Sequence, residues 1–297
     1  MKKVLLGCAV VGMLASTTAQ AQDGAAFRPV GGWTADYGED YCRLIRTFSN
    51  GNDEVSLALE RTQPGSPMRL IMVGDGIKTF RGADQIGFSF TPGGNAAKSR
   101  YVRSETSDGK QYLNFDPVTL TAFTFTPGTP PPMYSRTTEQ ETARGINGLA
   151  LNEGLTDPVR FETGSLRAPI TALQTCADDL LTVWGLDPEK HKTMTTLAIL
   201  NPDPNGVLPQ GTIPFGDFGK FGGGANQVRV LIGADGKPTG CTIYSPTLGQ
   251  SLNERICTLV MSKATFQPAK DADGQPMASF WMGSPLFLGP PFPGARR

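Results

Sequence analysis

The chain has one histidine in 297 residues, no two cysteines at C-x-x-C spacing, no excess of either charge and no apolar run long enough to span a bilayer. Each shortage excludes something. A Ser-His-Asp or Cys-His mechanism has only His191 to use, and His191 lies in the polar stretch Asp187 to Met194, where a solvated surface histidine is expected. Missing C-x-x-C spacing and missing further histidines speak against a zinc site, and nothing else calls for a metal or cofactor. Lys plus Arg equals Asp plus Glu at 27 each, so no bulk field draws the chain to nucleic acid or anionic lipid. The apolar stretch from Val4 to about Ala15 falls short of the roughly 20 residues of a spanning helix, so no transmembrane anchor is expected.

What is present reads as an export signal and a turn-rich body. Met1-Lys2-Lys3, the apolar stretch and Ala19-Gln20-Ala21 make a signal peptide over residues 1–21, with cleavage before Gln22 and the mature chain in the periplasm. Cys8 is expected to leave with it. The four remaining cysteines, Cys42, Cys176, Cys241 and Cys257, predict two disulfides in an oxidising compartment. Three connectivities are open to four cysteines, and the local pairing Cys241 with Cys257, leaving Cys42 with Cys176, is preferred. Gly at 36 and Pro at 24 scatter between short apolar runs and favour a β-rich fold.

Residues 22–200 read as a β-rich antiparallel domain with a helix. The best strands are Tyr41–Phe48, Val55–Thr62, Met68–Gly74, Ile86–Phe90 and Thr119–Thr126, separated by Ser-Asn-Gly-Asn, Gln-Pro-Gly-Ser-Pro and Pro-Gly-Gly-Asn turns. They suggest an antiparallel sheet or small sandwich. Ala168–Leu186 carries Leu173, Cys176, Leu180, Leu181 and Trp184 at helical spacing, which puts Cys176 on the inward face. Asn201–Asn226, rich in Pro and Gly, reads as a linker. Its Gly222-Gly223-Gly224 lacks the Lys-Ser/Thr of a phosphate cradle.

Residues 227–297 form the second unit, a small module with a short tail. Val228, Val230 and Ile232 alternate up to Asp235-Gly236, a type I′ hairpin signal, and Gly240–Ser245 is the return strand. Ser251-x-x-Glu254 reads as a capping box that opens a helix with Leu252, Ile256, Leu259 and Val260 inward. Cys257 then projects roughly 110° from the centre of that face, placed to reach sideways. A bridge to Cys241 would close a loop on the order of 15 residues and contribute about 3 kcal/mol. Asp273-Gly274 leads to a third strand, so the order is β-β-α-β and the whole chain reads as α+β.

Val228 to Trp281 resembles the C-terminal domain of the TonB family of energy transducers. The likeness lies in the Asp235-Gly236 hairpin, the helix opening at a Leu, Phe266-x-Pro268-Ala269 after it, and the final strand. The resemblance implies that Phe266 plugs sheet and helix together and that Pro268 turns the chain into the third strand. It also implies a non-catalytic protein that captures an envelope protein, such as a segment of an outer-membrane receptor, by strand addition. The docking edge would be Gln275–Met282, with Met277, Ser279, Phe280, Trp281 and Met282, and a second copy could dock there as a homodimer; the alternative, equally open, is that Phe280 and Trp281 divide between core and domain interface. The same resemblance implies an accessory role in outer-membrane transport.

Other constellations carry less. Asp178-Asp179 point apart on a helix and read as its wet face. Asp271-Ala272-Asp273-Gly274 fails as a calcium loop because Phe280 stands where the bidentate Glu should be. Asp36, Glu39 and Asp40 beside Arg43 and Arg46 could form a ligand surface or a charged cap around Cys42, and the cap is preferred. An exported hydrolase with its site in the first domain and a purely structural envelope protein are the alternative functions.

Overall fold

The computed structural model describes residues 25–122, 133–203 and 205–290. Its largest unit is a closed barrel of nine strands: β1 (Ala25–Tyr37), β2 (Cys42–Ser49), β3 (Glu54–Arg61), β4 (Arg69–Val73), β5 (Gln85–Thr91), β6 (Ala96–Glu105), β7 (Gln111–Phe115), β8 (Gly148–Glu153) and β9 (Val159–Phe161). Their order around the barrel is β1-β2-β3-β4-β7-β6-β5-β8-β9. All pairs are antiparallel except the closing one, in which Ala25–Phe27 runs parallel to Val159–Phe161. β1 manages two partners because its register on β2 shifts between Val30 and Thr34, at Gly31-Gly32. Alternation along the strands sends Cys42, Leu44 and Phe48, then Val55, Leu57 and Leu59, then Leu70 and Met72, into one buried cluster. The rings of Phe27, Phe48 and Phe161 meet there at 5.2 and 5.4 Å.

Two helices lie against this barrel. α1 (Arg136–Gly145) is capped by Ser135, whose hydroxyl accepts from the Thr138 N–H. α2 (Arg167–Val183) buries Ile170, Leu173, Cys176, Leu180 and Leu181 against β2 and β3. Cys176 is bonded to Cys42, and Cys241 to Cys257. A short helix α3 (Pro188–Lys192) follows, capped by the Asp187 carboxylate.

The remaining elements are β10 (Ile199–Leu200), β11 (Gln227–Ile232), β12 (Pro238–Tyr244), α4 (Gln250–Lys263), β13 (Phe266–Gln267), β14 (Ala269–Lys270), β15 (Pro276–Met277) and β16 (Ser279–Gly283). β11 is the centre of an antiparallel sheet in the order β12-β11-β16. Val228, Val230 and Ile232 face Ile256 and Val260 of α4 in a second buried cluster. The opposite face of this sheet packs on the barrel.

The α+β expectation is therefore corrected. The chain is mostly β, few helices are present, and the dominant unit is a closed barrel rather than an open sheet or sandwich followed by a TonB-like domain. Of the expected Thr119–Thr126 strand, residues 119–122 form no strand and 123–126 lie outside the described residues. The signal peptide also lies outside them. The presumed linker, 201–226, is packed: Val207, Leu208 and Thr212 are buried, and a 3-10 segment, Phe215–Gly224, rests on β6 and β7. The Gly223 N–H donates to Asp116 Oδ1 at 2.9 Å, and the Gly223 carbonyl accepts from Asn114 at 2.9 Å. A carboxylate thus occupies the position a phosphate would need.

Local signals in the second unit also need correction. The capping box does not form: Gly249 is the N-cap, Ser251 lies inside the helix, and Glu254 accepts from Gln250 at 2.8 Å. Asp235-Gly236 sits in a five-residue connection from Gly233 to Lys237 rather than a type I′ pair, since only Gly236 has positive φ, at 79°. Gly236 is nevertheless required. Its carbonyl accepts from the Phe266 N–H at 2.9 Å, and a Cβ there would stand 2.2 Å from the Phe266 carbonyl. Phe266 is buried between β10 and Trp281, so the join after α4 docks on the hairpin turn. Gly236→Ala should destabilise by roughly 1–3 kcal/mol in chemical denaturation, from αL strain plus displacement of that carbonyl. A loss under about 0.5 kcal/mol would show that the join yields freely.

Candidate functional site

The five side chains expected to present a docking surface divide instead between two faces, Met277 and Ser279 buried and Phe280, Trp281 and Met282 half-buried. Met277 pairs into β15 and is buried under α4, because the expected third strand breaks at Ala278. Alternation along β16 then sets Ser279 and Trp281 toward α4, and Phe280 and Met282 toward the barrel. Phe280 meets Trp184 edge to face at 5.3 Å, and Met282 Sδ accepts from Thr62 Oγ1 at 3.6 Å. The sticky row is an internal join between the two units.

His191 is not a solvated surface residue. Its Nε2 lies 3.1 Å from Ser279 Oγ, its Nδ1 lies 2.7 Å from the Asp187 carbonyl, and its ring stacks over Phe280 at 6.1 Å. Ser279 and Phe280 point to opposite faces of β16, so an imidazole that touches both crosses the strand's outer edge. The arrangement resembles a nucleophile and base, but the chemistry fails on access. Ser279 is 1% exposed, and a backbone carbonyl rather than a carboxylate holds Nδ1. Asp178 is engaged elsewhere, with Arg136 at 2.7 Å and Lys192 at 3.5 Å, so it is not on a wet face as expected. His191 acts as a latch between α3 and β16.

Burial pushes the His191 pKa below its ordinary value, against the opposing pull of the Asp187 carbonyl and of the Asp187 and Asp178 carboxylates. At pH above the ordinary value, about 6.5, both folded and unfolded chains are neutral here. As pH falls through it, the unfolded chain takes a proton that the folded chain resists, and stability drops until the depressed folded value is passed. The melting temperature of wild type should therefore fall more between pH 7.5 and 5 than that of His191→Gln. Parallel curves would show that the latch carries no charge effect.

The sheet is held to the barrel by buried ions. Glu60, on the outer face of β3, is fully buried and accepts from Arg43 Nε at 2.7 Å, Arg69 at 2.9 Å and the Tyr244 hydroxyl of β12 at 3.0 Å. Burial, first, and the Glu60 charge, second, push the Tyr244 pKa well up. Arg229 of β11 reaches Asp40 at 2.6 Å and lies 4.3 Å over the Trp184 ring. The cluster read as a cap around Cys42 is thus partly a seam, with Asp40 holding Arg229 of the second unit and Arg43 holding Glu60 within the barrel. On the inner side, Arg61 pairs with Glu139, which also accepts from Tyr134 at 2.5 Å and Gln174 at 3.0 Å. Burial raises Tyr134 to about 12. These alternating charges on β3 were not found from sequence because nothing marked β3 as covered on both faces.

With the β16 edge crossed by His191, the outer edge of β12 is the open one. Among the described residues it carries no ladder partner. Thr239 and Thr242 on it are exposed. Among the hollows on the described surface, two bear on function. One, about 490 Å³, adjoins Arg46, Asn147, Arg160 and Glu162, but Arg46 is already committed to the carbonyls of Gly31 at 2.9 Å and Thr163 at 3.0 Å. The other, about 500 Å³, is shallow and lies over the Cys241–Cys257 bond. Neither includes His191 or Ser279. Among the described residues no group of three or more His, Cys, Asp or Glu is placed to hold a metal, and no helix is long and apolar enough to cross a membrane.

No protein-family model, curated protein or solved structure matches the chain. Function is therefore read from the chain's own geometry.

Proposed function

We propose that this is a non-catalytic periplasmic protein that captures an extended segment of an envelope protein by strand addition at β12. The observation that carries the reading is the sheet order β12-β11-β16, in which, among the described residues, the seven-residue β12 has no ladder partner on its outer edge and carries exposed Thr239 and Thr242. Main-chain hydrogen bonds to such an edge supply affinity, and neighbouring side chains supply choice. Rigidity favours capture, since an ordered edge loses little entropy on pairing. β12 is fixed at both faces, by the Cys241 bridge to α4 and by Tyr244 on Glu60. Two disulfides suit an oxidising compartment, and the sequence resemblance supplies the partner class, a segment of an outer-membrane receptor.

A photoreactive residue at Thr242, exposed in mid-strand, tests the reading in cells against the same probe at Ala278, exposed before β16. Adducts with an envelope protein at Thr242 and not at Ala278 support capture at β12. Adducts at Ala278 alone move docking to β16. No adduct from either position rejects strand capture and favours a structural role.

A further inference from the structure

We propose that Cys241–Cys257 is an exchangeable disulfide, open to attack by an exposed protein dithiol, while Cys42–Cys176 in the same chain is shielded from it. Thiol–disulfide exchange needs a thiolate to approach one sulfur of the bond, so access decides which of two bonds reacts. Cys42 is 0% and Cys176 4% exposed, sealed between β2 and α2 within the barrel core. Cys241 and Cys257 are both partly exposed. The shallow hollow of about 500 Å³ lies directly over them, lined otherwise only by Thr258, Met261 and Ser262. Met261 is 41% exposed, so the approach passes over an apolar contact surface rather than a charged one.

The hollow exists because of how the two elements carry their cysteines. Val230 is paired with Cys241, at the centre of the β11–β12 ladder, and the Cys241 side chain points to the α4 side. On α4, Ile256 and Val260 turn inward, which leaves Cys257 on the flank where the helix overhangs the edge strand. The bond therefore spans the outer seam between strand and helix instead of the cluster beneath them.

The reaction balances without any further reagent. The thiolate of the dithiol partner forms a bond to one protein sulfur, and the other protein sulfur leaves with the electron pair and takes a proton from water. The partner's second thiol then attacks the mixed disulfide and releases the first protein sulfur as a thiol. The dithiol is oxidised by two electrons, the protein bond is reduced by two, and α4 loses its covalent tie to β12. Ile256, Val260 and the β11–β12 ladder remain to hold the fold.

The test is brief exposure of the folded protein to dithiothreitol, then alkylation and peptide mapping. Label at Cys241 and Cys257 at least tenfold faster than at Cys42 and Cys176 is the expected result. Equal rates, faster loss of Cys42–Cys176, or no label before global unfolding would overturn the proposal. A thioredoxin-type protein lacking its resolving cysteine extends the test to the partner class. It should be trapped as a mixed disulfide on Cys241 or Cys257, and absence of an adduct overturns the protein-dithiol assignment. In a Cys241→Ser/Cys257→Ser variant, Cys42–Cys176 should stay as resistant as before; new lability there would mean that the selectivity came from local unfolding. None of these outcomes depends on whether β12 captures a strand.

Discussion

Glu60→Ala should lower stability by roughly 3–5 kcal/mol in denaturant unfolding, the range for removing one partner of a buried ion pair. Glu60 is fully buried, and its two oxygens serve Arg43, Arg69 and Tyr244 together. Deleting it leaves Arg69, whose side chain is only 10% exposed, without its counter-charge. Arg43 is more open, at 28%, and water compensates it in part, so most of the loss comes from Arg69 and from the Tyr244 O–H, which loses its acceptor while still accepting from Arg69 at 3.2 Å. Tyr244→Phe removes two hydrogen bonds, the one its hydroxyl donates to Glu60 at 3.0 Å and the one it accepts from Arg69 at 3.2 Å, and should cost about 1–3 kcal/mol. A loss near 1 kcal/mol for Glu60→Ala itself would place the cluster among ordinary surface pairs and show that the seam admits water.

The same residues show why the sequence was only partly legible. β2, β3, β4 and β5 were visible because their inward side chains are large and apolar. β6 was not: Lys98 and Arg100 on one face and Arg103 and Glu105 on the other give it a polar text on both sides, and closure of the barrel rather than burial of both faces holds it. β1 was masked by Gly31-Gly32, and β9 has only three residues, Val159–Phe161, below the length at which alternation can be recognised. Barrel closure is a long-range fact, set by three pairs between Ala25–Phe27 and Val159–Phe161, and no local pattern announces it. In the second unit the paired strands β11 and β12, the helix α4 and the sideways Cys257 were legible from period and turn residues, whereas the expected third strand is broken at Ala278 and short strands intervene after α4. The fate of Phe280 stayed open between a docking edge and a domain interface, because period 2 assigns a face without saying what covers it.

Removing Cys42–Cys176 should cost about 5 kcal/mol by the chain-entropy relation, against about 3 kcal/mol for Cys241–Cys257. The difference follows from loop length: the first bond joins residues 134 apart, the second residues 16 apart. Alanine is the proper replacement, since serine would bury hydroxyls beside Leu44 and Leu173 and add a desolvation cost of its own. Denaturant unfolding of the two paired-alanine variants gives the comparison directly. A gap of roughly 2 kcal/mol is expected. Equal losses would mean that the unfolded chain already holds α2 near β2, so that the long bond removes little freedom. The long loop encloses β2 through β9, α1 and the first half of α2, while the short one encloses only the end of β12 and half of α4. One bond therefore constrains the whole barrel and is sealed in its core. The other constrains a single seam and lies at the surface, where its loss leaves the rest of the fold in place.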